Sequence, residues 1–304
     1  MSVTTKQSDV LECLLVYKDY VIRLIMDKNN RVAIITGATS GIGKETAIAL
    51  AGKGFRLVLP VRDQEKGEAL KRELAAMPGK AVPVELFPCR LDSLDSVRAF
   101  AGAFREKYDR LDLLVNNAGI WEMHRRESVD GIEMNFAVNH LAPFLMTNLL
   151  LDMLREAPPA RVINLSSMAH RFAFMCFSDL EGKKRWNAFF SYAQSKLANI
   201  LFANRLAREL NGDGVTVNSM HPGFVKTHLF DQMPALIRKP AGLIMVSPAR
   251  GAETVVYLAT SPEVQGISGA YFAGRKMTKP SSVARNAKHA DKLWEISKEY
   301  CEMK

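Results

Sequence analysis

Tyr192 and Lys196 stand four positions apart, which places a phenol and an ammonium group one turn apart on one helix face. The pKa of a free tyrosine lies near ~10, so the phenol is a poor base at neutral pH. An adjacent cation stabilises the phenolate, and we expect Lys196 to lower the pKa of Tyr192 in this way. The pair therefore predicts a group that exchanges a proton with a reacting oxygen.

Two serines, Ser166 and Ser167, follow an apolar run that is typical of a buried strand. Doubly wound folds place ligands at the carboxyl ends of their strands. A serine hydroxyl there can donate a hydrogen bond to a substrate oxygen as negative charge develops on it. A tyrosine–lysine pair alone is usually an ordinary pair on a helix surface. Here the serines and a glycine-rich loop in the same chain favour a catalytic role for the pair.

That loop contains Gly37, Gly41 and Gly43, between a predicted strand and a predicted helix. Gly37 permits a tight turn, Gly41 lets backbone N–H groups approach a pyrophosphate, and Gly43 allows close packing. The helix N-terminus adds donors and the positive end of its dipole. The strand–turn–helix setting predicts a dinucleotide-binding loop. The other loop residues expected to border the cofactor are Thr39, Ser40 and Ile42.

The residue after the second predicted strand selects the cofactor, because an acid there would accept a hydrogen bond from the ribose 2′-hydroxyl of NAD. Val61 and Arg62 stand at this position, and neither can accept that bond. The planar guanidinium of arginine suits a 2′-phosphate, and Lys44 adds positive charge. We therefore predict NADP(H) as the cofactor. In the alternative, Arg62 faces solvent and pairs with Asp63 or Glu65.

These residues need a scaffold, and from Arg31 onward the chain alternates short apolar runs with helical patterns. Strands are predicted at Arg31–Thr36, Arg56–Val61, Val82–Phe87, Leu111–Val115, Arg161–Leu165, Val215–Ser219 and Ala270–Ala273. Helices are predicted at Gly41–Lys53, Gln64–Ala76, Leu94–Tyr108, Asp130–Arg155, Ser191–Leu210 and Pro248–Thr260. The alternation predicts a doubly wound, Rossmann-type α/β fold with a parallel sheet. We expect a single domain over residues 30–304 and an N-terminal extension over residues 1–29.

The chain has 304 residues, of which 48% are hydrophobic and 24% charged, a composition typical of a globular protein with one large core. The net charge of +9 fits a solvated basic surface, attraction of anionic ligands, or contact with an acidic membrane or nucleic acid. Basic residues are scattered and no nucleic-acid-binding signature occurs, so we expect no nucleic-acid partner. The four cysteines form no metal-binding or disulfide pattern, which predicts no metal site and a cytoplasmic location.

Residues 9–27 are rich in apolar side chains but contain Glu12, Lys18, Asp19 and Arg23. This stretch is too short and too charged to span a bilayer, and it lacks the features of a signal peptide. Its apolar spacing predicts an amphipathic helix that lies on a membrane surface, on a partner or on the body of the protein. Met26 is a hypothetical start of the natural chain, because the first predicted strand begins soon after it.

The motifs, in their order, resemble those of the short-chain dehydrogenase/reductase family. The matching segments cover about residues 31–275 and are TGATSGIG (36–43), NNAG (116–119), Asn139, the serine pair, YAQSK (192–196) and HPG (221–223). The resemblance implies hydride transfer between a nicotinamide and a carbonyl carbon, with Tyr192 moving the proton. It also implies dimers or tetramers formed through the helices predicted at Asp130–Arg155 and Ser191–Leu210, and of these we expect a homodimer.

The resemblance assigns roles to single residues. Lys196 matches the residue that lowers the pKa of the tyrosine and holds the nicotinamide ribose, and Asn139 matches one that supports a water between the lysine and solvent. The family usually uses the second serine of such a pair to orient the substrate, which favours Ser167 and leaves Ser166 as the alternative. The implied adenosine-side contacts are Asn117, Ala118 and Gly119, and the implied nicotinamide-side contacts are Pro222, Gly223 and Thr227.

A long interval between Ser167 and Tyr192, together with the sequences GIGKETA and YAQSKLANILFA, resembles the retinol-dehydrogenase-like branch. This branch implies NADP(H) and hydrophobic aldehydes, ketones or alcohols as substrates. The apolar residues that would line such a pocket, or would otherwise pack under loops, are Phe172, Phe174, Phe189, Phe190, Leu229, Phe230, Met233, Leu236 and Ile237.

One position departs from the family pattern, because Arg90 and Leu91 stand where the family often has an aspartate that meets the adenine amine. Asp92 replaces that aspartate, or the contact is lost, or Arg90 reaches the adenosine phosphate. Other functions remain open on the same fold: a catalytically silent NADP(H)-binding sensor or scaffold, and epimerisation or dehydration. A further alternative is a membrane-associated partner protein that acts through residues 9–27.

Overall fold

The computed structural model describes residues 31–78, 82–225 and 245–303. The strands in these parts of the chain are β1 (Val32–Ile35), β2 (Arg56–Val61), β3 (Val84–Pro88), β4 (Leu113–Asn116), β5 (Ala160–Leu165), β6 (Val215–His221), β7 (Tyr271–Ala273) and β8 (Lys276–Met277). The α-helices are α1 (Gly41–Ala51), α2 (Gln64–Ala75), α3 (Leu94–Lys107), α4 (Met134–Phe136), α5 (Ala142–Leu149), α6 (Leu151–Arg155), α7 (Ala188–Glu209), α8 (Pro248–Thr260) and α9 (Ala287–Tyr300).

The eight described strands form one sheet with the order β3-β2-β1-β4-β5-β6-β7-β8. Neighbouring strands are parallel except for β7 and β8, which pair antiparallel. A parallel sheet requires crossover connections, and the helices between the strands provide them. The predicted doubly wound α/β fold is confirmed, with one short antiparallel edge strand as an addition.

Each face of the sheet carries its own hydrophobic core, because successive strand residues point to opposite faces. In β1, Ile34 belongs to a core shared with side chains of α3, α5, α7 and α9. Ala33 and Ile35 belong to the opposite core, shared with α1, α2 and α8. The helices therefore fix both faces of the sheet and leave the carboxyl ends of the strands as the edge from which the site loops depart.

The strand order reverses between β1 and β4, which lie side by side although β2 and β3 separate them in sequence. Ligands of doubly wound folds bind at such a switch point, beyond the carboxyl ends of the strands. The glycine loop follows β1, the Asn117–Gly119 segment follows β4, and the serine pair follows β5. The fold thus brings these three segments to one edge of the sheet.

The prediction of one continuous helix over Asp130–Arg155 is wrong. The segment becomes helical at Met134, contains a π turn over Ala137–Leu141 and breaks at Leu150. Pro143 has no N–H to donate to the carbonyl four residues earlier, so a regular α-helix cannot continue through this segment. Asn139 lies within the π turn, so the irregularity falls on a predicted site residue.

The C-terminal helix α9 is absent from the sequence prediction, although its signals are present. Asn286 caps it by accepting a hydrogen bond from the backbone N–H of His289 at 3.2 Å. The buried residues of α9 recur at helical spacing and pack against α7; they are Ala290, Leu293, Trp294 and Ser297. Within residues 31–78, 82–225 and 245–303, no helix is long and apolar enough to cross a membrane. The N-terminal extension and its predicted amphipathic helix lie outside these residues.

Candidate active site

The glycine loop between β1 and α1 depends on backbone conformations and distances that side chains would disturb. Gly37 and Gly41 have φ values of +66° and +54°, in the left-handed region that favours glycine. A Cβ atom on Gly43 would lie 2.2 Å from the carbonyl oxygen of Gly37. The loop can fold back over the start of α1 only because position 43 has no side chain.

Asn117 and Ala118, which follow β4, hold the end of β1. The Asn117 amide nitrogen donates to the carbonyl of Thr36 at 2.8 Å, and the backbone N–H groups of Asn117 and Ala118 both donate to Thr36 Oγ1 at 3.0 Å. These bonds join the two strands on either side of the switch point. They give Asn117 and Ala118 a structural role in shaping the loop, beside the predicted contact with the cofactor.

Arg62 follows β2 and is exposed, whereas its neighbour Asp63 is engaged elsewhere. Asp63 caps α2 by accepting from the backbone N–H of Lys66 at 3.1 Å, and it also forms an ion pair with the Lys66 ammonium at 3.3 Å. The predicted alternative in which Arg62 pairs with Asp63 is therefore not seen. Lys44, expected to add charge at this end, pairs with Glu73 of α2 at 2.7 Å.

Asp92, the acid nearest to the family's adenine-binding position, is bound by its neighbour. Arg90 donates to both carboxylate oxygens of Asp92, at 3.1 and 3.0 Å. These hydrogen bonds lower the pKa of Asp92, and the positive charge of Arg62 acts in the same direction. Arg62, Arg90 and Asp92 thus form one charged cluster with a net positive charge beyond β2 and β3.

Tyr192 and Lys196 lie on α7, whose first turn is capped by Asn187 through a bond from the backbone N–H of Phe190 at 3.0 Å. Both side chains are buried. The Lys196 ammonium lies 5.7 Å from the centroid of the Tyr192 ring and donates to the carbonyl of Leu165, at the end of β5, at 3.4 Å. The structure therefore places the predicted pair together, beside the strand that leads to the serines.

Burial dominates the protonation of this pair. It raises the pKa of Tyr192 to about 12, with a hydrogen bond to Ser167 acting in the opposite direction, and it lowers the pKa of Lys196 to about 8. The expectation that Lys196 lowers the pKa of Tyr192 is not met by the protein's own residues. Each group is shifted toward its neutral form, because burial disfavours every charge.

The two serines have different partners, although they are adjacent. The Ser166 hydroxyl is buried and donates to the main-chain carbonyl of Lys196 at 2.7 Å, which ties the end of β5 to α7. Ser167 is partly exposed, and its hydroxyl accepts from the backbone N–H of Ala169 at 3.2 Å. Because that N–H can only donate, the hydroxyl proton of Ser167 is directed elsewhere, and Tyr192 is its neighbour. This geometry favours Ser167 over Ser166 as the serine that faces a substrate.

Asn139 is fully buried and holds the segment after β4 against the lysine. Its amide oxygen accepts from the N–H of Ile120 at 2.7 Å, and its amide nitrogen donates to the Ile120 carbonyl and to Ser195 Oγ, both at 2.9 Å. A Cβ atom on Gly119 would lie 2.7 Å from the Lys196 ammonium nitrogen. Asn139 and Gly119 together set the space around that ammonium group.

A row of aromatic rings leads away from Tyr192, and its central member was not predicted. Trp121 stacks on Tyr192 with ring centroids 5.2 Å apart, and it contacts Phe189 at 6.2 Å. Phe189 in turn contacts Phe172, which is 69% exposed, at 6.1 Å. The row forms an apolar path from the buried phenol to the surface. Trp121 follows NNAGI directly in sequence, but no local sequence pattern predicts that it stacks on the ring of Tyr192, which is 71 residues later in the chain.

Some of the remaining predicted residues lie in the parts of the chain that the structure describes, and the others lie outside them. Pro222 and Gly223 follow β6, and Gly223 has a φ of +90°. Phe174 and Phe190 contact each other with ring centroids 4.9 Å apart. The predicted residues that lie outside the described parts of the chain are Thr227, Leu229, Phe230, Met233, Leu236 and Ile237.

Comparison with known proteins agrees with these motifs. Residues 31–236 match the family described as short chain dehydrogenase. Human retinol dehydrogenase 14 is 41% identical over 287 residues, with 88% of this chain and 85% of the relative covered. Mouse retinol dehydrogenase 11 is 42% identical over 272 residues, with the same shares covered.

Solved structures with the same fold include bacterial proteins. A putative uncharacterised protein from Mycobacterium paratuberculosis superimposes with a TM-score of 0.73 at 32% identity, over 90% of this chain and 94% of that one. The Pseudomonas aeruginosa RhlG/NADP active-site complex superimposes with a TM-score of 0.66 at 27% identity, over 80% and 93% of the two chains.

Proposed function

The chain belongs to the short-chain dehydrogenase family and is an oxidoreductase of its retinol-dehydrogenase-like branch, and on this premise we propose its specific activity. The proposed activity is NADP(H)-dependent hydride transfer between the nicotinamide and a hydrophobic alcohol, aldehyde or ketone, with Tyr192 as acid and base. The observation that carries the proposal is the convergence of Tyr192, Lys196 and Ser167 at the sheet edge that also holds the glycine loop.

The glycine loop fits a dinucleotide. Gly37 and Gly41 keep the main chain in conformations that let backbone N–H groups converge, and Gly43 keeps the approach free of a Cβ atom. Ser40 precedes α1 and its side chain makes no capping hydrogen bond, which supports a role for the first N–H groups of α1 in binding phosphate. We assign Thr39, Ser40 and Ile42 to the same contact surface.

The charged cluster at the end of β2 favours NADP(H) over NAD(H). Arg62 is exposed and its neighbour Asp63 is engaged by Lys66, so the guanidinium is free to meet a 2′-phosphate. Asp92, an acid that feels the charge of Arg62, is paired with Arg90. A cluster with net positive charge suits the extra phosphate of NADP(H) better than a ribose hydroxyl.

Three side chains act on the reacting oxygen or on the group that exchanges its proton, and each has a different role. The cofactor supplies or takes the hydride when bound, and its oxidised nicotinamide brings a positive charge. During reduction Tyr192, which burial keeps as the neutral phenol, donates its proton to the carbonyl oxygen and becomes a phenolate. During oxidation the phenolate form of Tyr192 accepts the proton of the alcohol. Ser167 donates a second hydrogen bond to the same oxygen. Lys196 alone does not lower the pKa of Tyr192, so stabilisation of the phenolate requires the positive charge of the oxidised nicotinamide beside that of Lys196.

The other predicted residues complete the site. Asn139 supports a water between Lys196 and solvent, and it holds Gly119 beside the lysine. We assign Asn117 and Ala118 to the adenosine end of the cofactor, and Pro222 and Gly223 to the nicotinamide end. The aromatic path through Trp121 and Phe189 accepts the apolar part of the substrate.

The test follows the near-ultraviolet absorbance of the reduced nicotinamide with a panel of aliphatic, aromatic and isoprenoid aldehydes and ketones. Parallel reactions contain NADPH or NADH. We expect NADPH-dependent turnover that increases with the apolar size of the substrate. Turnover with NADH alone would contradict the assignment of Arg62, and tight NADPH binding without turnover on any substrate would support a sensor or scaffold instead.

A further inference from the structure

The peptide group that joins Ser167 to Met168 is held at both of its polar atoms by histidines. The carbonyl oxygen of Ser167 lies 2.6 Å from Nδ1 of His170. The N–H of Met168 donates to Nδ1 of His221 at 3.2 Å. A single peptide plane thus lies between two imidazole rings, directly after the serine that faces Tyr192.

The hydrogen-bond partners determine the tautomer of each ring. The N–H of Ser281 donates to Nε2 of His170 at 3.2 Å, so the ring proton of His170 is on Nδ1 and is donated to the Ser167 carbonyl. Nδ1 of His221 accepts from Met168, so the proton of His221 is on Nε2. Neither arrangement leaves room for a second proton, and both rings are therefore neutral.

The surroundings keep these rings neutral. His170 is fully buried and packs edge-on against Tyr271 of β7, and His221 is the buried last residue of β6. Burial lowers the pKa of His221 to about 4 and also lowers the pKa of His170, and the positive charge of Arg171 acts in the same direction on both.

The clamp acts on the orientation of the serine. Ser167 is in an extended conformation, with φ −147° and ψ 157°, and its hydroxyl accepts from Ala169. Rotation of the 167–168 peptide plane would change ψ of Ser167 and would displace Ala169 with the rest of the short 3₁₀ helix Met168–Phe172. A fixed peptide plane therefore holds the Ala169 N–H against Ser167 Oγ, and because that N–H occupies one lone pair of Oγ, the hydroxyl proton points away from it.

We propose that His170 and His221 are positioning residues that clamp the Ser167–Met168 peptide and thereby direct the Ser167 hydroxyl at the substrate oxygen. The inference rests on the proposed function for the role of Ser167. His170 also bonds to Ser281, so the clamp connects the reaction centre to the segment that leads into α9.

The first test compares two amides at position 221. The side-chain oxygen of Asn lies close to the place of Nδ1, whereas that of Gln lies close to the place of Nε2. We expect His221→Gln to lower kcat for NADPH-dependent carbonyl reduction by about 10- to 100-fold, with the KM for NADPH little changed. We expect His221→Asn to recover at least about 10-fold of that loss, because it restores an acceptor for the Met168 N–H. Equal losses in the two variants would overturn the proposal.

A double-mutant cycle separates positioning from general stability. Ser167→Ala gives the full contribution of the serine, and in that background His221→Gln should lower kcat by less than about 3-fold, because the group that it positions is gone. If His221→Gln costs the same with and without Ser167, the clamp does not act through the serine. If Ser167→Ala lowers kcat but His221→Gln does not, the clamp is refuted and the proposed function stands.

A measurement without turnover distinguishes failure of the clamp from failure of the proposed function. Long-range proton–nitrogen NMR correlations report which imidazole nitrogen carries the proton. We expect the Nδ1–H tautomer for His170 and the Nε2–H tautomer for His221 at neutral pH. The opposite tautomer at either ring, or a charged ring, would overturn the clamp even if the protein turned over NADPH. The expected tautomers in a protein without any turnover would leave the clamp in place and refute the enzymatic role.

Discussion

The glycine loop and the reaction centre lie at the same edge of one sheet, yet the first consists of main chain and the second of buried side chains. At the loop, two left-handed glycines and the empty Cβ position of Gly43 shape the surface. At the reaction centre, Tyr192, Lys196 and Asn139 are all buried and carry the polar groups.

The two regions therefore differ in what the fold must tolerate. Folding of the loop is opposed mainly by the loss of backbone conformational entropy, because glycine has more conformational freedom than other residues in the unfolded chain. The reaction centre keeps a lysine whose pKa burial lowers, so the buried ammonium group opposes folding below pH 10.5. The raised pKa of Tyr192 has no such cost at neutral pH, because the phenol is protonated in both the folded and the unfolded state. Substitutions that add a side chain to a loop glycine therefore disrupt the loop. Substitutions that remove a polar group from the reaction centre abolish activity, and where that group opposes folding they stabilise the protein.

Gly43→Ala is expected to have the largest effect on the loop. Its Cβ would lie 2.2 Å from the Gly37 oxygen, a backbone atom that cannot move aside cheaply, so we expect the free energy of unfolding to fall by roughly 3 kcal/mol. NADPH binding should weaken in parallel, as measured by fluorescence titration. The matched control is Gly102→Ala in α3, where nothing lies within 4 Å of the new Cβ. Helix propensity should make that variant more stable by about 1 kcal/mol. Equal effects at the two positions would contradict a loop limited by space.

Lys196→Met is expected to abolish turnover and stabilise the protein. Burial lowers the pKa of Lys196 from 10.5 to about 8, and one pKa unit corresponds to about 1.4 kcal/mol, so the stabilisation reaches at most roughly 3 kcal/mol. Between these two pH values the unfolded chain binds more protons than the folded protein, so wild-type stability rises with pH. The advantage of the Met variant should be largest below pH 8 and should shrink toward pH 10.5.

The control for this prediction is Lys44→Met, which replaces a lysine beside the glycine loop. Lys44 is 34% exposed and pairs with Glu73 at the surface, and such pairs contribute about 1 kcal/mol or less. Thermal denaturation across pH should therefore distinguish a stabilised, pH-sensitive Lys196→Met from a nearly unchanged Lys44→Met. A destabilised Lys196→Met would contradict the prediction, because it would show that the buried ammonium group stabilises the fold.

Arg62→Ala is expected to have a smaller effect, confined to cofactor choice. Loss of a charged hydrogen bond to phosphate should raise the Kd for NADPH by about 10- to 100-fold and leave the Kd for NADH unchanged. Lys71→Ala, also an exposed cation in this part of the chain, is the matched control and should leave both constants unchanged. Loss of NADH binding in Arg62→Ala would indicate that Arg62 maintains the shape of the cofactor site and does not specifically bind the 2′-phosphate.

The same contrast explains which features the sequence could predict. The glycine loop, the strands and the Tyr192–Lys196 pair depend on spacings of a few residues, and local periodicity predicted them. The stacking of Trp121 on Tyr192, the bond from Met168 to His221 and the bond from Ser281 to His170 join residues that are distant in sequence, and only the folded sheet brings them together. The π turn at Asn139 depends on Pro143, a signal that was present but was outweighed by the apolar periodicity around it.

The central claim is that Tyr192 transfers the proton. The most direct measurement is NADPH oxidation by Tyr192→Phe in the presence of the best carbonyl substrate, with NADPH binding measured on the same samples. Tyr257→Phe is the control, because its hydroxyl bonds to Glu263 at 3.0 Å on the exposed surface. We predict that Tyr192→Phe lowers kcat by about 10²- to 10⁴-fold while NADPH still binds, and that Tyr257→Phe keeps full activity. Unchanged turnover in Tyr192→Phe would contradict the account.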